Sequence, residues 1–112
     1  MALNWEEIKS TSVLEDRFNE VSDRPKLFFK HSTRCSISSM SLRMFERAWD
    51  TSLVVDLYFI DLIAHRDVSN LLAELSGVQH QSPQAIVVRN IEVIYQDSHG
   101  TIDADKIKSL LN

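Results

Sequence analysis

The chain has 112 residues, of which 44% are hydrophobic and 25% are charged, and its formal net charge is −4. This size suits one domain, residues 1–112, with a hydrophobic core of its own. The negative charge argues against binding to nucleic acid, because such proteins present a basic surface. The longest apolar run, residues 53–60, is interrupted by Asp56 and is far shorter than the roughly 20 residues of a membrane-spanning helix, so no membrane partner is expected.

The first predicted element is a helix from about Val13 to Ser22. Ser12 and Glu15 form a capping-box pattern at its start, and the apolar residues that follow recur at helical spacing. The preceding residues 3–8 match neither a helix nor a strand clearly. We expect their apolar side chains to cover one end of the core.

The second element is a strand, Lys26 to Lys30, that leads into a helix. Leu27-Phe28-Phe29 is an apolar run without alternation, which is typical of a strand buried on both faces. A connector, His31 to Arg34, follows, and the next helix is expected to run from about Cys35 to about Trp49. Its apolar residues fall on two faces, so we expect the helix to be largely covered, with its methionines in the core.

Cys35 is the only cysteine, and it stands at this predicted helix start. A helix start carries unpaired N–H groups and the positive end of the helix macrodipole, both of which favour a negative charge. Lys30, His31 and Arg34 add positive charge nearby in the sequence. We therefore expect Cys35 to favour the thiolate, the reactive form of cysteine. A buried, inert cysteine is the alternative that the sequence leaves open.

The pattern Cys35-Ser36-Ile37-Ser38 has a serine where a Cys-x-x-Cys oxidoreductase has its second cysteine. Serine cannot form a disulfide, so exchange at Cys35 would be monothiol. The thiolate would accept a thiol adduct, and another molecule would have to release it. Ser38 is the candidate hydrogen-bond donor to that thiolate, with an ordinary first-turn serine as the alternative. A single cysteine and no apolar secretion signal predict a cytoplasmic protein.

The second half of the chain begins with a predicted strand, Leu53 to Asp61, which is rich in β-branched and aromatic residues. A third helix follows, with apolar residues at helical spacing. Asp67 or Ser69 is expected to cap its start, and Gly77 to end it in the left-handed conformation.

Two more strands, Gln84 to Val88 and Glu92 to Gln96, are expected to form a hairpin, followed by a short helix within Thr101 to Leu111, capped by Asp103. The turn contains Asn90-Ile91, and isoleucine resists the positive φ of a type I′ turn, so we expect a longer turn or another type. The element order predicts an α/β fold with a mixed sheet of about four strands and helices on both faces. Right-handed crossovers place the second helix start at the edge where the first two strands end.

A second motif, Ser82-Pro83, precedes the apolar run Ala85 to Val88. Together, the segments HSTRCSIS (residues 31–38) and HQSPQAIVV (residues 80–88) resemble the bacilliredoxin branch of the thioredoxin-like proteins, in its monothiol, bacillithiol-system form. The resemblance extends over nearly the whole chain. It implies a thioredoxin-like fold in which Pro83 follows a cis peptide bond and the backbone of Ser82 pairs with the substrate.

The resemblance also implies a function, namely a monothiol thiol-disulfide oxidoreductase that removes bacillithiol, or another low-molecular-weight thiol, from mixed disulfides on proteins. Cys35 would be the nucleophile, Ser82 and Pro83 would hold the substrate, and Arg34 and His31 would attract the carboxylates of the adduct. No tightly bound cofactor and no metal are expected, because no His and Cys pair has ligand spacing. The partners would be thiol-modified cytoplasmic proteins, with the free thiol as co-substrate.

Two other functions stay open at this point. One is a monothiol glutaredoxin-type carrier of an iron–sulfur cluster, although Cys-Ser-Ile-Ser departs from the Cys-Gly-Phe-Ser pattern of that family. The other is a thioredoxin-fold interaction module without turnover, in which Cys35 is vestigial. A Cys35→Ser variant separates the last possibility from both redox functions, because only the module would keep its activity.

Overall fold

A five-stranded mixed sheet forms the centre of the protein in a computed structural model, which describes residues 3–111. The elements in chain order are β1 (Glu6–Glu7), α1 (Thr11–Asn19), β2 (Lys26–His31), α2 (Ser36–Ala48), β3 (Asp56–Asp61), α3 (Arg66–Ser76), β4 (Gln84–Arg89), β5 (Glu92–Ser98), a short 3-10 turn (His99–Thr101) and α4 (Ala104–Leu111). The sheet order is β1-β3-β2-β4-β5. β2 is parallel to β3 and antiparallel to β4. The predicted α/β class and mixed sheet are confirmed.

The sheet has one strand more than the sequence predicted, because part of the undecided first segment is β1. This strand pairs in parallel with β3 and extends the sheet at its edge. Trp5, just before β1, packs against the ring of Phe29 with 5.9 Å between the centroids. Its indole N–H donates a hydrogen bond to Glu46 Oε2 at 2.8 Å. The segment thus closes one end of the core, as expected.

Helices cover both faces of the sheet and enclose two hydrophobic clusters. One cluster lies between the sheet and helices α2 and α4, and the other lies between the sheet and helices α1 and α3. All six residues of β2 are buried, which confirms the prediction of a strand covered on both faces. In the described part of the chain, residues 3–111, none of the helices has the length and apolar character needed to cross a membrane.

The first helix begins earlier than the capping-box pattern predicted. Ser10, not Ser12, is the N-cap, and its hydroxyl accepts a hydrogen bond from the Val13 N–H at 3.3 Å. Both serines have a capping side chain, so the sequence pattern alone could not choose between them. The helix ends at Asn19, short of the predicted Ser22.

Two other boundaries differ from the prediction. Neither Asp67 nor Ser69 caps α3, because the N-cap is His65 and both residues lie within the helix. Strand β3 begins at Asp56 instead of Leu53, since its pairing with β2 starts only where β2 itself begins. Gly77 takes the predicted left-handed conformation at the end of α3, with φ at 70°.

The prediction that α2 is largely covered is wrong. Its buried residues, Ser38, Leu42 and Phe45, form a single narrow face towards the sheet. The side chains of Ile37, Met40 and Met44 are 61%, 56% and 63% exposed, so the methionines are not part of the core. The apolar residues extend around more of the helix than one sheet face can cover, and the excess faces outward.

The hairpin between β4 and β5 has a two-residue turn, which the sequence analysis predicted wrongly. Arg89 pairs with Glu92, and the residues between them, Asn90 and Ile91, have φ angles of 49° and 63°. Positive φ at both central positions is the pattern of a type I′ turn. The long pairing of β4 with β5 therefore imposes the turn on an isoleucine that disfavours it.

We predict that Ile91→Gly raises the free energy of unfolding by about 1 kcal/mol, because glycine adopts positive φ without the steric cost that an L side chain incurs. Chemical denaturation measures the change. Val54→Gly is the matched control, because Val54 is an equally exposed β-branched residue without positive φ. A loss of stability in both variants would contradict the assignment of strain to Ile91.

Lys30, in the middle of the sheet, is fully buried on the side that α1 and α3 cover. Its ammonium group donates a hydrogen bond to His80 Nδ1 at 3.2 Å, and Ser69 Oγ lies 3.2 Å from the same nitrogen. Burial and, to a smaller extent, the nearby Arg66 guanidinium together lower the pKa of Lys30 to about 8. No carboxylate contributes to this shift, so the fold carries the cost of a buried positive charge.

Because the pKa of Lys30 falls from 10.5 in the unfolded chain to about 8 in the fold, the unfolded state binds more protons between these values. The free energy of unfolding should therefore rise with pH across this window, by up to about 3 kcal/mol. We predict that Lys30→Met removes this rise and stabilises the protein at pH 7. Lys9→Met, at an exposed lysine, should leave both the pH-dependent rise and the stability at pH 7 unchanged. An unchanged pH profile in Lys30→Met would contradict the assignment.

Candidate functional site

Cys35 is the N-cap residue of α2, as the sequence predicted. Its backbone is extended, with φ at −114° and ψ at 119°. Its carbonyl accepts the first helical hydrogen bond from the Ser39 N–H at 3.1 Å, and its own N–H donates to the Ser32 carbonyl at 3.2 Å. The cysteine is free and half-buried. The thiol is therefore carried at the positive end of a helix dipole without being sealed in the core.

The connector before Cys35 is tied to the first turn of α2 through Ser38. The Ser38 hydroxyl accepts a hydrogen bond from the Ser32 N–H at 3.0 Å and lies 2.8 Å from His31 Nδ1. Both Ser38 and His31 are buried. These two contacts span the loop that carries the thiol, so they hold Cys35 in place from both sides. The role of Ser38 as a donor to the thiolate stays a prediction.

His31 is the last residue of β2, not part of an exposed connector. It is 7% exposed, and its ring packs against Phe59 with 5.6 Å between the centroids. Burial lowers the pKa of the imidazole, and the Asp61 carboxylate offsets part of this shift. A buried ring in the neutral form attracts a carboxylate less than a protonated surface histidine does. Binding of an adduct by His31 stays a prediction.

The three basic residues that precede Cys35 have different surroundings. Arg34 is exposed, next to the cysteine in the chain. The Lys30 ammonium contacts His80 on the α3 side of the sheet, and the His31 imidazole is held by Ser38. Arg34 is thus the one member of this trio with its side chain at the surface.

Ser82 and Pro83 are joined by a cis peptide bond, as the resemblance implied. Lys30 pairs with Gln84, so Pro83 lies beside the end of β2, on the same edge as the start of α2. The Ser82 hydroxyl is buried, and within residues 3–111 it is the one buried side-chain oxygen or nitrogen without a hydrogen-bond partner. The structure therefore brings Ser82-Pro83 to the edge that carries the cysteine.

The 3-10 turn after β5 links Pro83 to α2, a contact that the sequence did not predict. The His99 N–H donates to the Pro83 carbonyl at 2.9 Å, and Ser41 Oγ donates to the His99 carbonyl at 3.3 Å. Both bonds end on a backbone carbonyl, which every residue type has, so the acceptor residues carry no sequence signal. No sequence pattern could have indicated them.

The aspartates at the two ends of β3, of which Asp61 lies at the edge that carries the site and Asp56 at the opposite edge, have structural partners. Asp61 Oδ1 accepts hydrogen bonds from the Ile63 and Ala64 N–H groups at 3.1 and 3.2 Å, which shapes the turn after β3. Asp56 pairs with Arg24 at 3.0 Å. An aspartate directly after an apolar strand is a recognisable turn signal, so the first of these contacts could have been predicted. Among residues 3–111, no three His, Cys, Asp or Glu side chains are grouped closely enough to hold a metal ion.

Solved structures with a similar fold span almost the whole chain. A protein with a thioredoxin fold, proposed to be an oxidoreductase, is 25% identical, with a TM-score of 0.80 over 95% of this chain and 92% of that one. Thioredoxin from Malassezia sympodialis is 19% identical, with a TM-score of 0.68 over 96% and 88%. Thioredoxin from Schistosoma mansoni is 12% identical, with a TM-score of 0.71 over 96% and 92%. The latter two support the fold alone.

The family model described as "Monothiol bacilliredoxin BrxC" matches residues 6–107. This range includes every element from β1 to the first half of α4, together with Cys35, Ser38 and the cis Ser82-Pro83 bond. The chain has the thioredoxin fold and belongs to the monothiol bacilliredoxin family.

Proposed function

We propose that this thiol oxidoreductase removes a low-molecular-weight thiol, bacillithiol, from mixed disulfides on proteins, with Cys35 as the nucleophile. The family and the fold support the coarser statement, a thiol oxidoreductase. The observation that carries the proposal is a free, half-buried thiol at the N-cap of α2, with Ser38 in place of a second cysteine. Such a site can accept an adduct but cannot resolve it internally.

The reaction takes place in two exchanges. In the first, the Cys35 thiolate attacks the small thiol's sulfur in the mixed disulfide. The old S–S bond breaks, the target protein leaves as a thiolate, and a disulfide forms between Cys35 and the small thiol. In the second, another molecule of the small thiol attacks as thiolate, which releases a symmetrical disulfide and restores the Cys35 thiolate. No bound cofactor is needed, because the small thiol is the co-substrate.

The neighbouring groups have assigned roles in this proposal. The backbone of Ser82, before Pro83, pairs with the substrate, and the exposed Arg34 attracts the carboxylates of the adduct. The buried His31, whose imidazole lies 2.8 Å from Ser38 Oγ, is the second residue proposed to attract those carboxylates. The partners are thiol-modified proteins of the cytoplasm, a compartment that fits a lone reduced cysteine.

The proposal predicts that the reduced protein takes one adduct from a model protein that carries bacillithiol in mixed disulfide. Intact mass spectrometry should show the mass of a single adduct on the wild type and none on Cys35→Ser. Addition of free bacillithiol should then restore the unmodified mass. Absence of transfer to the wild type would contradict the proposal and favour an interaction module. A coloured, dimeric protein would favour an iron–sulfur carrier.

Ser38 should matter more than its neighbour Ser36, because Ser38 is buried and Ser36 is exposed. Ser38→Ala leaves the Ser32 N–H without its partner and releases the imidazole of His31. We expect a loss of about 1–3 kcal/mol in the free energy of unfolding and slower adduct transfer. Ser36→Ala should change neither. Equal effects in the two variants, measured by denaturation and by mass spectrometry, would contradict the positioning role of Ser38.

A further inference from the structure

The side of α2 that faces solvent has an unusual composition for an exposed helix surface. Three large apolar side chains and two arginines share it, and we call these residues the outer face of α2: Ile37, Met40, Arg43, Met44 and Arg47. The apolar members are each more than half exposed. Exposed apolar residues scattered singly are ordinary, but grouped ones mark a binding surface. In this helix they are grouped.

Helical spacing places these side chains next to one another. Ile37, Met40 and Met44 follow at i, i+3 and i+7, so they form one stripe along the helix. Arg43 and Arg47 each come three residues after a methionine, which puts a guanidinium beside each methionine of the stripe. The outer face is thus an apolar stripe bordered by positive charge.

The apolar stripe begins two residues after Cys35, the residue that carries the thiol. Cys35 is the N-cap of α2, and Ile37 lies in the first turn of the same helix. At a rise of 1.5 Å per residue, residues 37–47 extend about 15 Å from there. A polypeptide whose modified cysteine sits at Cys35 would therefore have its flanking residues within reach of this face.

Among residues 3–111, neither Arg43 nor Arg47 is found in an ion pair. The ion pairs found among residues 3–111 are those of Arg17, Arg24 and Lys108 with carboxylates elsewhere in the molecule. Glu46, the one acidic residue in α2, accepts hydrogen bonds from the Trp5 indole N–H and from the Leu3 N–H. The positive patch stands on a chain whose formal net charge is −4.

We propose that the outer face of α2 docks the protein partner in the exchange reaction, and that this partner presents apolar side chains and carboxylates beside its modified cysteine. The inference rests on the proposed function and specifies the substrate class. The apolar stripe would cover the partner's apolar residues, and Arg43 and Arg47 would pair with its carboxylates. Methionines suit such a surface, because their flexible side chains adapt to different partners. The overall negative charge disfavours the alternative of an anionic membrane surface.

Synthetic peptides test the docking directly. Three peptides carry the same cysteine, in mixed disulfide with the same small thiol, and the same apolar residues. They differ only in flanking residues, which are Asp and Glu, Asn and Gln, or Lys and Arg. The readout is the rate of adduct transfer to Cys35 from each peptide, divided by the rate from the symmetrical disulfide of the small thiol. This ratio cancels differences in thiol reactivity among variants.

We expect the acidic peptide to react about tenfold faster than the basic one at low salt. The double variant Arg43→Glu/Arg47→Glu should reverse that order, and Met40→Ser/Met44→Ser should lower the ratio for all peptides. Arg89→Glu and Val54→Ser, at exposed positions elsewhere, should leave the ratios unchanged. The proposal would be overturned if the wild type gave equal rate ratios for the three peptides. It would also be overturned if the control variants changed these ratios as much as the variants of the outer face do.

A binding assay separates failure of docking from failure of the exchange reaction. Cys35→Ser protein is titrated with the same peptides, with serine in place of the modified cysteine, and fluorescence anisotropy reports binding. Preference for the acidic peptide, lost in Arg43→Glu/Arg47→Glu, would support the docking surface even if no adduct transfer occurs. No preference among the peptides, or binding to anionic lipid vesicles in their place, would overturn it.

Discussion

The double pairing of strand β2 is the constraint on which the rest of the structure depends. β2 is paired with β3 on one side and with β4 on the other, and it is covered by helices on both faces. Its carboxyl end cannot move without breaking both ladders. The loop that leaves it therefore starts from a fixed point, and the pairing of Lys30 with Gln84 brings Pro83 to the same edge. The thiol, carried at the next helix start, is positioned by the sheet.

The short loop between β2 and α2 connects the fixed strand to Cys35, the one thiol of the site. Ser38 takes the position of a second cysteine, and its hydroxyl is already committed to the loop through Ser32 and His31. The residue that would have supplied a resolving thiol instead supplies a structural anchor. One consequence is chemical, because an adduct on Cys35 would have to be released by another molecule. The other is structural, because the contacts of Ser38 with His31 and Ser32 fix the loop that carries the thiol.

Most of the fold could be predicted from the sequence, because apolar periodicity, the apolar run in β2 and the end of α3 at Gly77 are local signals. Cys35 at a helix start was equally local, and the cis Ser82-Pro83 bond was implied by the family resemblance. Two of the wrong predictions have a common cause in long-range contacts. Pairing of β4 with β5 imposed positive φ on Ile91, and the area of one sheet face decided that Met40 and Met44 are exposed. Neither the pairing of two strands nor the area that a sheet face can cover follows from residue type alone.

The reaction of Cys35 with iodoacetamide at neutral pH, in the native protein and in denaturant, tests most directly whether the fold activates this thiol. The reagent is uncharged, so nearby charges do not steer it, and a small reference thiol corrects for the effect of denaturant on the reagent. The unfolded chain exposes Cys35 fully but lacks the helix start. A faster reaction in the native protein is the result that an activated thiol at the N-cap of α2 requires. A slower native reaction would contradict it and leave Cys35 as an unactivated cysteine.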